Sequence, residues 1–351
     1  MSPGKIPAPI HLFDRILVLA KRCYCFSPLN IIIIIYLLLT GCDNSLSTCR
    51  VPEKIDFHVE EIFERSRLGY TQGLEFYGER LFESTGAFEG STELNEISLD
   101  EVARRADVSS IVSHGKAVFG EGLTIFADRI FQLTWKNKLL FEYEIDTFEP
   151  RAREIAIEGW GLTNDGRRLI ASDGSDTLYF LNPDTLAVLG TMKVKRKGWG
   201  PPRSQAMVNE MEMVGQKIFG NIYRSNEIVR IDLETGCVDG VADLSRLYDE
   251  LDTEQKRQVD SHSNNVLNGI AYSKERGTVF LAGKRWPVIF EVRMDISPPA
   301  PTVRGHAGPD RRPRHGAFLA TNKRASAESS GFRIVSRDPR GAGRPVSPAE
   351  G

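Results

Sequence analysis

The chain has 351 residues, of which 26% are charged and 41% hydrophobic, and its formal net charge is −2. This composition fits a soluble globular body of one large or two ordinary domains. It excludes a typical nucleic-acid-binding protein, because such a protein needs Lys and Arg clustered on a folded face.

Residues 1–42 are predicted to be a targeting segment. Lys21 and Arg22 precede the apolar run Ile31–Leu39, which is short for a transmembrane helix. The run ends in Leu39-Thr40-Gly41-Cys42, which resembles a bacterial lipobox. We therefore expect export to the periplasm or cell envelope, with Cys42 lipidated and anchoring the protein to the membrane. An uncleaved signal anchor is the alternative.

Residues 43–54 have the polar composition of a linker. Cys49 lies in this linker, and Cys237 is the only other cysteine beyond the targeting segment. A disulfide between them would be compatible with an exported protein, but the spacing of two cysteines cannot decide whether they pair.

From residue 55 to residue 294 the pattern is β-sheet. Ile55–Ile62 alternates apolar and polar residues, as a half-buried strand does, and short apolar runs separated by turn residues follow. Helical periodicity is minor, and Ser245–Arg257 is the best candidate for a helix.

A short step recurs at intervals of roughly 50 residues: a residue capable of chemistry, then a small or acidic residue, then an aliphatic one. The five occurrences are Gln72-Gly73-Leu74, Glu121-Gly122-Leu123, Trp160-Gly161-Leu162, Asn209-Glu210-Met211 and Asn268-Gly269-Ile270. Four apolar runs accompany most of the steps. The sequence therefore predicts an all-β, five-bladed β-propeller with four-stranded antiparallel blades.

The last repeat ends after its third strand, Ile289–Val292. We predict that the early strand, about Phe57–Glu64, supplies the missing fourth strand and closes the ring, which would remove an exposed sheet edge. Residues 295–351 are rich in Pro, Gly and Arg and carry no periodicity, so they are predicted to form a disordered tail.

The candidate polar site residues are members of the repeated step, together with Lys284. Glu121 lies between two glycines and next to an apolar run, so a raised pKa would suit it to move protons; a solvated loop glutamate is the alternative. Gln72, Asn209 and Asn268 could bind a substrate amide or could satisfy backbone groups in turns. Lys284 could stabilise an oxyanion or lie on the surface.

Aromatic residues occur at matching places along the repeats. They are predicted to line the mouth of a central channel, although packing between blades would also explain them. These residues are Tyr70, Phe119, Trp135, Trp160, Tyr223 and Trp286.

Several familiar sites are missing from the sequence. The six histidines are scattered without the spacing of zinc ligands. A nucleophile elbow, a phosphate-binding loop and a dinucleotide fingerprint are also absent. No metal or other cofactor is therefore expected.

Taken together, these residues resemble the glutaminyl-peptide cyclotransferases of the plant and bacterial type. The similarity runs in order through about residues 55–294. Its main strings are Tyr70-Thr71-Gln72-Gly73-Leu74, Phe119-Gly120-Glu121-Gly122, Gln132-Leu133-Thr134-Trp135-Lys136, Glu158-Gly159-Trp160-Gly161-Leu162, Asn209-Glu210-Met211-Glu212, Leu267-Asn268-Gly269-Ile270 and Gly283-Lys284-Arg285-Trp286-Pro287.

The resemblance implies a five-bladed propeller and a metal-independent enzyme that acts on peptides with N-terminal glutamine, forming pyroglutamate and ammonia. We expect the protein to be a monomer. It implies Glu121 as the proton shuttle, and Lys284 and Asn209 as partners of the amide or oxyanion. Gln72 would orient the substrate between aromatic walls. Tyr70 departs from a common phenylalanine, and Tyr223 from the tryptophan frequent in plant members.

Two other functions remain open at this point. A non-catalytic propeller could bind peptides or glycans at the cell envelope, and a calcium-dependent lactonase-type propeller is the weaker option. A single glycine-flanked glutamate near aromatic residues, without a carboxylate cluster, favours the cyclotransferase.

Overall fold

The computed structural model describes residues 49–88, 90–198 and 207–296. The predicted targeting segment with Cys42, the beginning of the linker and the predicted tail from residue 297 onward lie outside the described residues. Within them, no helix is both long and apolar enough to cross a membrane.

The described part of the chain consists mostly of β-strands, as predicted. The first two strands are β1 (Glu53–Lys54) and β2 (Phe57–Arg65). The first unit contains β3 (Thr71–Tyr77), β4 (Arg80–Thr85), β5 (Thr92–Asp100) and β6 (Arg105–Gly115). The second unit contains β7 (Gly120–Phe126), β8 (Arg129–Thr134), β9 (Leu139–Glu144) and β10 (Pro150–Glu154).

The remaining strands continue the same order. The third unit contains β11 (Leu162–Asn164), β12 (Leu169–Ser172), β13 (Thr177–Leu181) and β14 (Val188–Lys193). The fourth contains β15 (Val208–Val214), β16 (Lys217–Ile222), β17 (Glu227–Asp232) and β18 (Val238–Asp243). The fifth contains β19 (Leu267–Ser273), β20 (Thr278–Gly283) and β21 (Val288–Met294), together with β2.

Strands that follow one another within a unit pair antiparallel. The fifth unit is completed by β2, which pairs antiparallel with β21 from Phe57 opposite Met294 to Glu64 opposite Val288. This confirms the predicted partner of the early strand. At its end β2 also pairs parallel with β6, so the first and fifth units share one eight-stranded sheet.

The first strands of the five units lie against one another. Contacts join β3 to β7, β7 to β11, β11 to β15, β15 to β19, and β19 back to β3. Glycines in the repeated step permit this approach: a Cβ atom on Gly73 would collide with the backbone of Leu123, and one on Gly122 with that of Leu162. The glycines are therefore required by backbone contact between units.

The hydrophobic core is divided into clusters, each shared by two neighbouring units. Burial of these apolar side chains away from water stabilises the contact between the units. Representative members, cluster by cluster, are Phe82 and Leu123, Leu133 and Leu162, Ile170 and Val208, Ile228 and Leu281, and Leu74 and Phe280.

The helix predicted over Ser245–Arg257 is shorter and displaced. A 3-10 helix spans Ser245–Tyr248, and the α-helix α1 spans Thr253–Asp260. The reason is the cap: the Asp252 side chain accepts a hydrogen bond from the Gln255 N–H, and the Gln255 side chain accepts one from the Asp252 N–H. This reciprocal box fixes the start of the helix.

Residues 49–54, part of the predicted linker, are held against the fourth unit. Cys49 forms a disulfide with Cys237, so the pairing that the sequence left open is settled. Next to it β1 pairs parallel with β18, and the Glu53 carboxylate lies 3.3 Å from the buried Arg230 guanidinium.

We expect the double variant Cys49→Ser, Cys237→Ser to be less stable than the wild type by about 2–4 kcal/mol, because a cross-link restricts the unfolded chain. The two cysteines are 188 residues apart, so the closed loop is long. Denaturant unfolding measures the change. A reductant should shift the wild-type midpoint and leave that of the variant unchanged; equal midpoints for both proteins under oxidising conditions would contradict this.

Candidate active site

The repeated step brings its chemically capable residues to one end of the first strands. Gln72 and Glu121 lie at the beginnings of β3 and β7, Trp160 lies two residues before β11, and Asn209 lies at the beginning of β15. Because these strands pack side by side, the side chains converge. Lys284 directly follows β20, and its backbone forms an isolated antiparallel β-bridge with that of Tyr70.

A cavity of about 270 Å³ lies at this place. Nine of the ten residues predicted for catalysis or substrate binding line it, together with two that the sequence did not single out. The lining residues are Tyr70, Gln72, Phe88, Phe119, Glu121, Trp135, Trp160, Asn209, Tyr223, Asn264 and Lys284.

Asn268, the remaining predicted binding residue, lies behind the cavity. It is fully buried, and its Nδ2 atom donates to the carbonyl of Thr71 at 3.0 Å and to Oε1 of Gln72 at 3.4 Å. Asn268 therefore orients Gln72. Trp286 likewise packs in the core, where its indole N–H donates to the Asn265 carbonyl, so the packing explanation applies to it.

Glu121 is the acidic group of the cavity and is only 5% exposed. Burial raises the pKa of its carboxyl group to about 8, and the nearby charge of Lys284 acts in the opposite direction. Among the described residues, Lys284 influences the carboxyl group by its charge, and no hydrogen-bond donor does so. The group is therefore a carboxylic acid at neutral pH and is available to a bound molecule.

Lys284 is the basic group of the cavity and is 4% exposed. Burial lowers its pKa to about 8, and the charge of Glu121 opposes the shift. Its Nζ atom lies 5.2 Å from the centre of the Tyr70 ring and 5.3 Å from that of Tyr223. The faces of both rings therefore stabilise the ammonium group in a site with little water.

Aromatic side chains form the walls. Their neighbouring ring centres are 5.0–6.0 Å apart, with edge-to-face or tilted geometry, which is favourable for such pairs. The contacts are Tyr70 with Phe88, Tyr70 with Phe119, Phe119 with Trp135, and Trp160 with Tyr223.

Phe88 and Asn264 are the lining residues that sequence reasoning missed. Phe88 lies between β4 and β5, and Asn264 between α1 and β19, so neither belongs to the repeated step. An aromatic residue in a Gly-containing loop was the only signal for Phe88, and nothing in the pattern marked Asn264. Among the described residues, no group of three His, Cys, Asp or Glu side chains could hold a metal ion.

Comparison with known proteins identifies relatives of the chain. A family model described as glutamine cyclotransferase matches residues 32–294. The glutaminyl-peptide cyclotransferase of Arabidopsis thaliana is 32% identical over 229 residues, which are 64% of this chain and 67% of the relative. The crystal structure of Myxococcus xanthus glutaminyl cyclase is 33% identical with a TM-score of 0.59, covering 70% of this chain and 98% of that one.

The raised pKa of Glu121 makes a prediction about stability. With a folded-state pKa near 8 and an ordinary value of 4.5, the unfolded chain loses this proton first, so rising pH favours unfolding. We expect Glu121→Gln to gain stability relative to the wild type by about 1.4 kcal/mol for each pH unit between these values, or about 3 kcal/mol at pH 7.

Urea unfolding at pH 4 and pH 7 measures this gain. The exposed Glu144→Gln variant controls for the loss of one carboxylate. A stability difference between Glu121→Gln and the wild type that is the same at both pH values would show that Glu121 is not held as an acid.

Proposed function

Since the chain belongs to the glutamine cyclotransferase family and is a glutaminyl-peptide cyclotransferase, which converts N-terminal glutamine to pyroglutamate and ammonia, we propose that Glu121 moves the proton in this reaction. Lys284 and Asn209 stabilise the oxyanion. The observation that carries the proposal is the buried acid facing a buried ammonium group in an aromatic cavity.

The reaction needs one proton to change places. The α-amine nitrogen bonds to the carbonyl carbon of its own side-chain amide (Cδ), the bond between that carbon and the amide nitrogen breaks, and ammonia leaves. Glu121 in its acid form gives its proton to the leaving nitrogen and takes one from the attacking amine, so it ends unchanged. A pKa near 8 suits both transfers at neutral pH.

The tetrahedral intermediate carries a negative charge on the former carbonyl oxygen. Lys284 supplies an ammonium group whose burial strengthens its interaction with that charge. Asn209 is 2% exposed and supplies an amide donor. Its backbone is fixed, because its carbonyl accepts a hydrogen bond from the Ser172 hydroxyl at 3.0 Å.

The remaining residues that line the cavity orient the substrate. Gln72, held from behind by Asn268, binds the polar part of the glutaminyl residue. Tyr70, Phe119, Trp135, Trp160 and Tyr223 enclose its methylene groups and exclude water. Holding the amine and the amide together in this way lowers the entropic part of the activation barrier. The reaction proceeds without a metal.

We further propose that the five units are the blades of a β-propeller and that β2 closes the ring. Two observations support this: the contacts among the first strands return from β19 to β3, and each hydrophobic cluster is shared by two neighbouring units. The cavity would then lie at one end of the axis. Action as a monomer is a further part of the proposal.

Export and anchoring through Cys42 also remain part of the proposal. The disulfide between Cys49 and Cys237 supports it, since disulfides persist in oxidising compartments outside the cytoplasm. Mass spectrometry of the mature N-terminus would decide between a lipidated Cys42 and an uncleaved signal anchor.

Glu121→Gln should lower ammonia release from a peptide with N-terminal glutamine by at least about 10²–10⁴-fold, the usual contribution of a proton-transferring side chain. The assay is run with and without EDTA, which should have no effect, and Glu144→Gln serves as the control. Unchanged turnover in Glu121→Gln would refute its role. A wild type that binds the peptide without releasing ammonia would support a binding protein.

Lys284→Met keeps the unbranched shape of the side chain up to the Cε position and removes the ammonium group. We expect kcat to fall by about 10²–10³-fold, as for the loss of an oxyanion donor, with a smaller change in KM. Steady-state kinetics on the same peptide measures the two constants. A rise in KM alone would assign Lys284 to ground-state binding.

A further inference from the structure

We propose that Asn264 is a substrate-binding residue whose side-chain amide donates a hydrogen bond to the main-chain carbonyl of the substrate's N-terminal glutaminyl residue. The proposal rests on the function proposed above. It concerns a residue that lies outside the repeated step but lines the same cavity.

The orientation of the Asn264 amide is fixed by two donors. Its Oδ1 atom accepts a hydrogen bond from the Tyr223 hydroxyl at 3.2 Å and from Nη2 of Arg224 at 2.9 Å. A guanidinium group can only donate, so the atom facing it must be the amide oxygen. The Nδ2 group therefore points away from Arg224, and no described residue accepts a hydrogen bond from it.

The loop that carries Asn264 is held in place before any substrate arrives. The Asn264 N–H donates to Nδ1 of His262 at 3.0 Å. The next residue, Asn265, donates from Nδ2 to the Gln258 carbonyl at 3.1 Å, and its own carbonyl accepts the Trp286 indole N–H at 2.9 Å. A donor on such a preorganised loop binds a ligand without the entropic cost of ordering it.

The chemistry of the substrate identifies the acceptor. An N-terminal glutaminyl residue offers two carbonyl groups near its amine: the γ-carbonyl and the main-chain carbonyl. The γ-carbonyl oxygen becomes the oxyanion and is bound by Lys284 and Asn209. The main-chain carbonyl remains, and it is the group that fixes the rotation of the residue about its α-carbon. A donor there keeps the amine in attacking position.

Tyr223 connects this donor to the reacting groups. The face of its ring lies 5.3 Å from Nζ of Lys284, and its hydroxyl holds Asn264. The rim of the cavity and the oxyanion site are thus braced by one side chain. Tyr223→Phe should retain the wall and lose one of the two bonds that orient Asn264, giving a smaller loss than substitution of Asn264 itself.

The test compares Asn264→Asp with the wild type on two substrates. Aspartate retains the acceptor for Tyr223 and Arg224 but removes the N–H donors. The first substrate is a peptide with N-terminal glutamine, and the second is 4-aminopentanamide, in which a methyl group replaces the main-chain carbonyl group and leaves no acceptor there. This amide can still cyclise, to 5-methyl-2-pyrrolidinone, with release of ammonia.

We expect Asn264→Asp to lower kcat/KM for the peptide by about 10- to 100-fold, the effect of leaving a buried acceptor without its donor. For 4-aminopentanamide the kcat/KM values of variant and wild type should agree within about twofold, since no acceptor is present to lose its donor. Exposed Asn226→Asp, in the fourth unit, is the matched control and should change neither. Dissociation constants on the Glu121→Gln background provide the same comparison without turnover.

The outcomes separate the two proposals. An equal loss on both substrates, or no loss on the peptide, overturns the role of Asn264 and leaves the cyclotransferase assignment intact. If the wild type released ammonia from neither substrate, that result would instead refute the proposed function.

Discussion

The site depends on direct backbone contact between the first strands of neighbouring units. Gly73 lies against Leu123, Gly122 against Leu162 and Gly161 against Asn209, and none of these contacts leaves room for a Cβ atom. The residue before each glycine therefore lies at the same position relative to the neighbouring unit. Close packing thus fixes both the separation of the units and the convergence of Gln72, Glu121 and Trp160 on one cavity.

The fourth unit shows what happens where the glycine is replaced. Glu210 occupies the place of the glycine, and its carboxyl group accepts hydrogen bonds from the N–H groups of Leu74 and Ile270, in the first and fifth units. Burial raises its pKa well above the ordinary value, as it does for Glu121. The difference lies in the partners: Glu210 is bound by backbone donors and is structural, whereas Glu121 faces the cavity without a protein donor.

The sequence predicted the site residues whose positions follow from the repeat. It did not predict the roles of residues that depend on which hydrogen-bond partners their side chains find. Glu121 and Asn209 were found because the repeated step fixes their backbone positions. Asn268 shares that position, but its amide is used behind Gln72, which no pattern reveals. Asn264 belongs to a connecting loop that is not repeated. Pairing of Cys49 with Cys237 depends on the parallel alignment of β1 and β18, a contact between distant parts of the chain.

One physical cause, exclusion of water, accounts for the reactivity of both charged groups. It raises the pKa of Glu121 and lowers that of Lys284, so that both groups change their charge near pH 8. Aromatic rings produce this exclusion, and Tyr223 adds a hydroxyl that holds the polar rim. An indole at position 223 would preserve the apolar wall but present its N–H in a different place. The phenol therefore connects Asn264, the proposed donor to the substrate, with the environment of Lys284, the proposed oxyanion partner.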